Sequence, residues 1–327
     1  MKNWFNRLLG GAHGDGAGAA ALAAAAAAGD AAHVDTGAEI DAAYYRWLTA
    51  SNGFHAPAET ERRILAEVTA MADDPGAAAH LVPRVPEVIP QLLASLGDDS
   101  VSHVEMGRQA SQDVVLVAEL IREANSAYYR SLDPVSTVEA AIMRLGHDGL
   151  RMLLARLAFR PIIKMQAGGF ARIAAPNVWN QSERCALAAS LMAPGVTAGA
   201  FEAYLAGLLQ NVGLMVAFRV SDDICEDGRI PGSRAFGQEL QGLSRRLSSH
   251  IAAHWEFPTE VCESIAHAGD PGDLPLARAL ALGDRIAKLR LLIDGNVLSE
   301  QDSLVTDGLD NFQRRCLTKL GNAQAEA

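Results

Sequence analysis

The segment at residues 201–220, FEAYLAGLLQNVGLMVAFRV, sets the fold class of this chain. Its apolar residues recur at helical spacing throughout, and no part of it alternates with the period of two that a half-buried strand requires. Only Gln210 and Asn211 interrupt the apolar core of the segment. We therefore predict one buried helix over 201–220 that carries two amide side chains into the interior.

Helical spacing extends from this segment toward both ends of the chain. Ser136, with Glu139 three residues later, predicts a capping box before one of these helices, and Gly146 predicts its end. The other predicted helices are 41–50, 59–71, 88–96, 114–124, 140–145, 150–163, 178–192, 236–255, 259–267, 274–298 and 303–320. A series of helices without strands is typical of an all-α, multi-helix bundle.

Composition narrows the class of function. The 327 residues include 28 Lys and Arg against 39 Asp and Glu, which gives a formal net charge of −11 and argues against nucleic-acid binding. Aromatic residues make up only 6% of the chain, which suits packed helices better than a β-sandwich. Its four cysteines (Cys185, Cys225, Cys262 and Cys316) form no C-x-x-C pair, which favours free thiols in a reducing cytoplasm.

Residues 1–40 have the composition of a short amphipathic peptide followed by a disordered Ala/Gly linker. Trp4, Phe5, Leu8 and Leu9 give the peptide an apolar side suited to docking on a partner. A secretory signal is the weaker alternative, because glycines separate the basic residues from the alanine run. No stretch of the chain approaches the roughly 18 consecutive apolar residues of a membrane span.

Common catalytic and metal-binding patterns are incomplete. The glycine-rich stretch at residues 10–18 has no following Lys-Ser/Thr and no preceding strand, so it does not match a phosphate-binding loop. His250 and His254 lie four residues apart on one predicted helix, with His267 as a third histidine nearby in sequence. Together with Asp284, these histidines form the one alternative metal site that the sequence offers.

Seven short motifs occur along the chain, and their order is a stronger signal of a protein family than any one of them alone. They are Val82-Pro83-Arg84-Val85-Pro86-Glu87-Val88, Ser111-Gln112-Asp113, Ala124-Asn125-Ser126-Ala127-Tyr128-Tyr129, Ala141-Ile142-Met143-Arg144-Leu145-Gly146, Gly149-Leu150-Arg151, Ala206-Gly207-Leu208-Leu209 and Ser264-Ile265-Ala266-His267. In these motifs the chain resembles the HDOD domain, an all-helical relative of the HD phosphohydrolases. The resemblance covers residues 81–298. It leaves a helical extension at 41–80 and a C-terminal helix at 299–327 that packs on or trails the domain.

The resemblance also implies the loss of a metal site. HD phosphohydrolases hold metal with one His, an adjacent His-Asp pair and a distant Asp, and these positions correspond here to Gln181, Gln210, Asn211 and Asp284. Amide oxygens supply no charge to offset the dehydration of a divalent ion, and without a metal nothing lowers the pKa of an attacking water. We therefore predict no catalytic residue, no metal and no cofactor. The amides should form a hydrogen-bonded core network or line a retained ligand pocket, and Asp284 should pair with Lys288.

Five polar residues in the N-terminal half of the resemblance are further candidates. Gln112 and Asp113 stand before a predicted helix, and Asn125 and Ser126 stand at its end. Each of these residue types suits a helix end, so capping and contact with a partner are both open for them. Arg151 is the fifth candidate, as a charged residue within the resembling motifs.

The leading hypothesis for function is a non-catalytic signalling or scaffold protein. The resemblance implies bacterial signal transduction, in the orbit of cyclic-di-nucleotide, motility or stress regulation, through contacts with other signalling proteins. Two alternatives are a metal-dependent phosphohydrolase with a rebuilt site and a sensor that binds a small ligand in the old HD cavity. Dimerisation of the chain stays an open alternative.

Overall fold

The computed structural model describes residues 30–49, 56–74, 114–126, 129, 133–163, 169–225 and 229–322. These residues are helical for the most part and form no β-strand, which confirms the predicted all-α fold class. In chain order the helices are α1 (Asp30–Leu48), α2 (Ala58–Asp73), α3 (Val114–Ala124), α4 (Val138–Ile163), α5 (Gly169–Met192), α6 (Ala200–Leu209), α7 (Val212–Ile224), α8 (Arg234–His254), α9 (Thr259–His267), α10 (Pro275–Asp294), α11 (Ser303–Thr306) and α12 (Asn311–Asn322).

Helix α5 lies at the centre of the bundle, between α6 and α10. Its alanines leave room for two very close crossings. A Cβ atom built on Gly207 of α6 would lie 2.6 Å from the backbone nitrogen of Ala186, and one built on Gly283 of α10 would lie 2.6 Å from that of Ala189. Any larger residue would therefore push these helices apart, because core packing leaves no space for an added methyl group.

The predicted helix at 201–220 is in fact two helices, α6 and α7, which meet at Gln210 and Asn211. Asn211 has φ −101° and ψ 4°, outside the helical region. Ser248 of α8 bridges the break: its hydroxyl donates to the carbonyl oxygen of Gln210 at 2.6 Å and accepts from the backbone nitrogen of Gly213 at 2.8 Å. The prediction of one continuous helix was wrong because a distant serine satisfies the backbone groups that the break releases.

Several other predicted boundaries also differ, and α5 begins at Gly169 rather than at residue 178. The helix expected at 303–320 is divided into α11 and α12, because the Asp310 carboxylate caps α12 by accepting from the backbone nitrogens of Phe312 and Gln313 at 2.8 Å each. Helix α10 ends at Asp294 and not at residue 298. The hydroxyl that caps α4 belongs to Thr137, which accepts from the backbone nitrogen of Ala140 at 3.2 Å, and not to Ser136.

Gly146 interrupts α4, as the sequence predicts, with φ 67°. A positive φ is readily adopted by glycine and strained for other residues, so this position ends the first part of α4 before the chain resumes its helical path. Residues of α4 on both sides of Gly146, such as Leu145 and Leu150, pack with α3 in a small apolar cluster of their own. Most of the remaining apolar residues join one larger core around α5.

The boundary of the N-terminal segment needs correction. Helix α1 begins at Asp30, eleven residues before the predicted start at residue 41 and inside the segment expected to be a linker. Ile40 is only 1% exposed and packs in a cluster with side chains of α5 and α10. No helical spacing of apolar residues was recognisable in the sequence of this segment, because its few large apolar residues are separated by small ones such as alanine and glycine. The docking peptide with Trp4, Phe5, Leu8 and Leu9 lies outside the described residues.

The C-terminal helix α12 packs on the domain. Its buried residues Cys316, Leu317 and Leu320 belong to the same cluster as Ile40. Residues 200–224 are also apolar enough, by length and composition, to cross a membrane, but 83% of the most apolar window is buried inside the bundle. Such burial is typical of a core segment of a globular protein.

The burial of Ile40 predicts that α1 is part of the core. Replacing Ile40 with Ala should lower the free energy of unfolding by about 3 kcal/mol, because a fully buried aliphatic side chain is lost and a cavity remains. Urea denaturation followed by circular dichroism measures this change. The control is Glu39→Ala, one residue away on the exposed side of α1, which should change stability by less than about 0.5 kcal/mol. Equal effects of the two substitutions would contradict the packing of α1.

Candidate functional site

Three amides meet in the interior at the junction of α5, α6 and α7. The Nδ2 group of Asn211 donates to Oε1 of Gln181 and, at 2.9 Å, to the hydroxyl of Ser182. Gln181 and Ser182 are fully buried, and Gln210 is 4% exposed. We call Gln181, Ser182, Gln210 and Asn211 the amide cluster. The break between α6 and α7 allows two consecutive residues, Gln210 and Asn211, to turn toward the same site.

Four charged residues lie beside the amide cluster. The ammonium of Lys288 is 2.6 Å from Oδ2 of Asp284 and 2.6 Å from Oδ1 of Asp41. The guanidinium of Arg245 is 3.5 Å from Oδ2 of Asp284 and 3.9 Å from Oδ2 of Asp41. We call Asp41, Arg245, Asp284 and Lys288 the charge cluster. Its two positive and two negative charges balance, which is what burial of ionised groups requires.

Asp284 joins the two clusters because each of its carboxylate oxygens has a different set of partners. Its Oδ1 accepts from Nε2 of Gln181 and from Nε2 of Gln210, the latter at 3.1 Å. Its Oδ2 faces Lys288 and Arg245. The acceptor capacity of the buried carboxylate is therefore taken up by N–H donors of this same chain.

The residues at the HD positions do not fit a divalent metal ion. Gln181 and Gln210 direct amide nitrogens, not oxygens, toward Asp284. The Lys288 ammonium already binds the one carboxylate among the four positions. A cation placed there would meet positively polarised hydrogens and a lysine charge, whereas a metal site needs several anionic or lone-pair donors.

Mutual contacts shift the pKa values of two members of the charge cluster, Asp41 and Lys288. Burial alone would raise the pKa of Asp41, but the positive charges of Lys288 and Arg245 outweigh it, so the pKa is lowered. Burial alone would lower the pKa of Lys288, but Asp284 and Asp41 outweigh it, so that pKa is raised. Both shifts favour the ionised forms, so Asp41 and Lys288 hold their charges at neutral pH.

Two further ionisable side chains are buried beside the clusters. Burial, and then the charge of Asp284, raises the pKa of the Tyr44 hydroxyl and of the Cys185 thiol well above their ordinary values. Both groups therefore stay protonated at neutral pH, and neither is activated as a nucleophile. The Tyr44 ring also lies 5.6 Å from the Lys288 ammonium.

The alternative metal site is not assembled in the described part of the chain. No three side chains of His, Cys, Asp or Glu come together there in a group that could hold a metal ion, so His250, His254 and His267 are not gathered around Asp284. The Nδ1 atom of His250 is buried without a hydrogen-bond partner among the described residues. These histidines are separate features of α8 and α9.

Of the five candidates in the N-terminal half, the structure describes Asn125, Ser126 and Arg151. Asn125 ends α3 and exchanges two 2.8 Å hydrogen bonds with the backbone of Val135, which fixes the returning chain. The guanidinium of Arg151 lies 3.9 Å from the centre of the Phe201 ring. The Ser126 hydroxyl is buried without a hydrogen-bond partner among the described residues. Gln112 and Asp113 lie outside the described residues.

Sequence reasoning found the amides, Asp284 and Lys288 but missed Asp41 and Arg245. Both missed residues come from helices distant in sequence, and an isolated Asp or Arg in a helical segment is most often a solvated surface residue. The pairing of Asp284 with Lys288 was visible because it follows the i,i+4 spacing of one helix. The contact of Asp41 with Lys288 spans 247 positions, and no local pattern records it.

Comparisons with known proteins assign the chain to a family. Residues 82–271 match the family model of the HDOD domain. No protein of curated function matches the chain.

Several solved structures share the fold. A candidate metal-dependent phosphohydrolase from Shewanella amazonensis SB2B is 19% identical with a TM-score of 0.57, over 81% of this chain and 99% of that one. An HDOD domain protein of unknown function from Geobacter sulfurreducens is 21% identical with a TM-score of 0.53, over 83% and 96% of the two chains. A candidate signal transduction protein from Marinobacter aquaeolei VT8 is 21% identical with a TM-score of 0.53, over 77% and 64%. At these identities the likeness establishes the fold.

The balance of the charge cluster predicts strong coupling between its members. Lys288→Met should lower the free energy of unfolding by about 3–5 kcal/mol, because it leaves the buried Asp284 and the partly buried Asp41 with one cation. Asp41→Asn added to Lys288→Met removes one of those carboxylates and should recover about 1–3 kcal/mol relative to additivity. A double-mutant cycle by urea denaturation measures this coupling. Strict additivity would contradict the contact between Asp41 and Lys288.

The pKa shifts predict how stability depends on pH. Because the pKa of Asp41 is lowered in the folded state, its contribution is present above its ordinary value of 3.8 and is lost as the pH falls through the folded value. Because the pKa of Lys288 is raised, its contribution is present below 10.5 and is lost as the pH rises through the folded value. Unfolding free energies measured across both limits should show Asp41→Asn flattening the acid limb, and weakening the alkaline limb as well because Asp41 helps to raise the pKa of Lys288. An unchanged acid limb in that variant would contradict the assignment.

Proposed function

The chain belongs to the HDOD domain family, and from that membership we propose that it is a non-catalytic signal-transduction protein that acts through contacts with other proteins. Membership in an HD-related family leaves catalysis open in either direction, so the proposal depends on the chemistry of this chain's own site. A fold by itself does not decide activity.

The observation that carries the proposal is the occupied carboxylate of Asp284. Hydrolysis of the HD type needs a metal-bound water whose pKa is brought near neutrality. In this chain the oxygens of the Asp284 carboxylate are instead in contact with two amide N–H donors, an ammonium and a guanidinium. The site can therefore hold its helices in register, but it has neither the donors for a metal nor an activated nucleophile.

The parts of the chain that would meet a partner lie outside this interior. The peptide with Trp4, Phe5, Leu8 and Leu9 precedes α1, and we infer that it docks separately from the helical domain, as short amphipathic segments do on apolar grooves. The acidic net charge of −11 supports proteins over nucleic acids as partners. We place the protein in the bacterial cytoplasm, in signalling linked to cyclic-di-nucleotide, motility or stress control, and a homodimer is compatible with this role.

The test is metal content and turnover on the full-length protein. After purification and incubation with Mn²⁺, Fe²⁺ or Zn²⁺, elemental analysis should give less than about 0.1 metal ion per chain, and bis(p-nitrophenyl) phosphate should not be hydrolysed above the buffer rate. The reason is that, among the residues that the structure describes, no three side chains of His, Cys, Asp or Glu form a group that could hold a divalent ion. Stoichiometric metal with turnover that Asp284→Asn abolishes would overturn the proposal in favour of a phosphohydrolase.

Partner capture supplies the second arm of the same test. The intact chain and a Trp4→Ala/Phe5→Ala variant serve as baits in quantitative pull-downs from a bacterial lysate, since both should fold equally well. A set of signalling proteins captured by the intact chain, and reduced at least tenfold with the variant, supports docking through the peptide. Identical capture by both baits would place the contacts on the helical domain.

A further inference from the structure

Two cations in the interior share one carboxylate from the N-terminal helix. Lys288 of α10 and Arg245 of α8 each contact Asp41 of α1, through different oxygens of the same group. The side chain of Lys288 is 4% exposed and that of Arg245 is 16% exposed, whereas that of Asp41 is 25% exposed. Asp41 is thus the outermost member of the charge cluster, and it covers the basic pair as a bound anion would.

Removing α1 would leave the basic pair without its full set of partners. Lys288 and Arg245 would then share only Asp284, which itself also accepts from the two glutamines. An excess of one positive charge in a mostly buried site is unfavourable, and it would attract an anion. The position of Asp41 is therefore one that an oxyanion of similar size could take.

Tyr44 supplies a second observation at the same place. Its side chain comes from the next turn of α1, its ring lies 5.6 Å from the Lys288 ammonium, and the residue is only 5% exposed. The hydroxyl of Tyr44 has no hydrogen-bond partner among the described residues. Buried hydroxyls nearly always have a partner, so this one is available to a polar ligand or an ordered water at the site.

We propose that Lys288 and Arg245 form an anion-binding site whose built-in occupant is Asp41, and that an external oxyanion, a carboxylate or a phosphate group, competes with the Asp41 carboxylate for it. Displacement would detach Asp41 from the two cations and loosen the polar side of α1, while Ile40 and Leu48 keep the helix packed on the core. This goes beyond the proposed signalling role and does not depend on which proteins the chain contacts. It also differs from the metal chemistry of the HD hydrolases, because the ligand is negative and no bond is broken.

The first test is chemical rescue of a truncated carboxylate. Asp41→Ala removes the built-in anion and leaves space beside the two cations. Formate or phosphate should then raise the thermal midpoint of the variant by about 3 °C more than chloride at equal ionic strength, as expected when a ligand at about ten times its dissociation constant binds only the folded state. Comparing formate with phosphate shows which oxyanion the site prefers.

Three controls separate this response from general salt effects, since phosphate stabilises many proteins by exclusion from their surface. Glu39→Ala removes an exposed carboxylate of the same helix and should show only the general effect. Asp41→Asn keeps the side-chain volume and should show no rescue. Asp41→Ala/Lys288→Met lacks one of the two cations and should therefore also show no rescue by the oxyanions. Responses of Asp41→Ala that equal those of Glu39→Ala would overturn the proposal.

Hydrogen exchange on the unmodified full chain tests displacement without relying on the folding of any variant. Pyrophosphate should accelerate amide exchange of residues 36–48 at least threefold over sodium chloride of equal ionic strength, while exchange in α5 stays unchanged. Exchange in α1 that does not respond to pyrophosphate would overturn the competition between α1 and external anions. Metal content and partner capture would be unaffected by that outcome, so this failure is distinguishable from failure of the proposed signalling role.

Discussion

The carboxylate of Asp284 is a negative charge in an interior built almost entirely from small and aliphatic side chains, and such a charge is tolerated only when each of its oxygens is satisfied. Its two oxygens face opposite sides of the site, one toward the amides of α5 and α6 and the other toward the cations of α8 and α10. Five helices, counting α1 through the partners of Lys288, are therefore held at fixed distances around one group. A half-satisfied network of this kind would be worse than an apolar core, so the arrangement has little freedom to change piecemeal.

The break between α6 and α7 is the local feature that makes this network possible. In an unbroken helix, two consecutive side chains point about 100° apart, and Gln210 and Asn211 could not both serve one site. Ser248 satisfies the backbone at the break, and Gln210 can then reach Asp284 while Asn211 reaches Gln181. According to the resemblance, the same positions bind metal in HD hydrolases. What differs in this chain is the charge that the side chains bring to these positions.

Much of this could be predicted from the sequence, and the exceptions have a common physical cause. Helical spacing identified the all-α class and most of the helices, and the motif series identified the family that the match over residues 82–271 then showed. The pairing of Asp284 with Lys288 followed from spacing along one helix. The break at Asn211, the cap at Asp310 and the carboxylate of Asp41 were not predictable, because each depends on a group brought near by tertiary packing. Local propensity carries no record of such contacts.

The close crossings at Gly207 and Gly283 have a consequence for how this protein can diverge. Gly207 stands one helical turn before Gln210, and Gly283 stands directly before Asp284, so each glycine controls how near a polar group comes to Gln181. The dimensions of the polar site are thus fixed by two hydrogen atoms that stand where side chains would otherwise be. Mutational drift at either glycine would widen the site as a side effect of repacking, and a lineage that kept the amides but lost the glycines would lose the hydrogen bonds that make those amides tolerable.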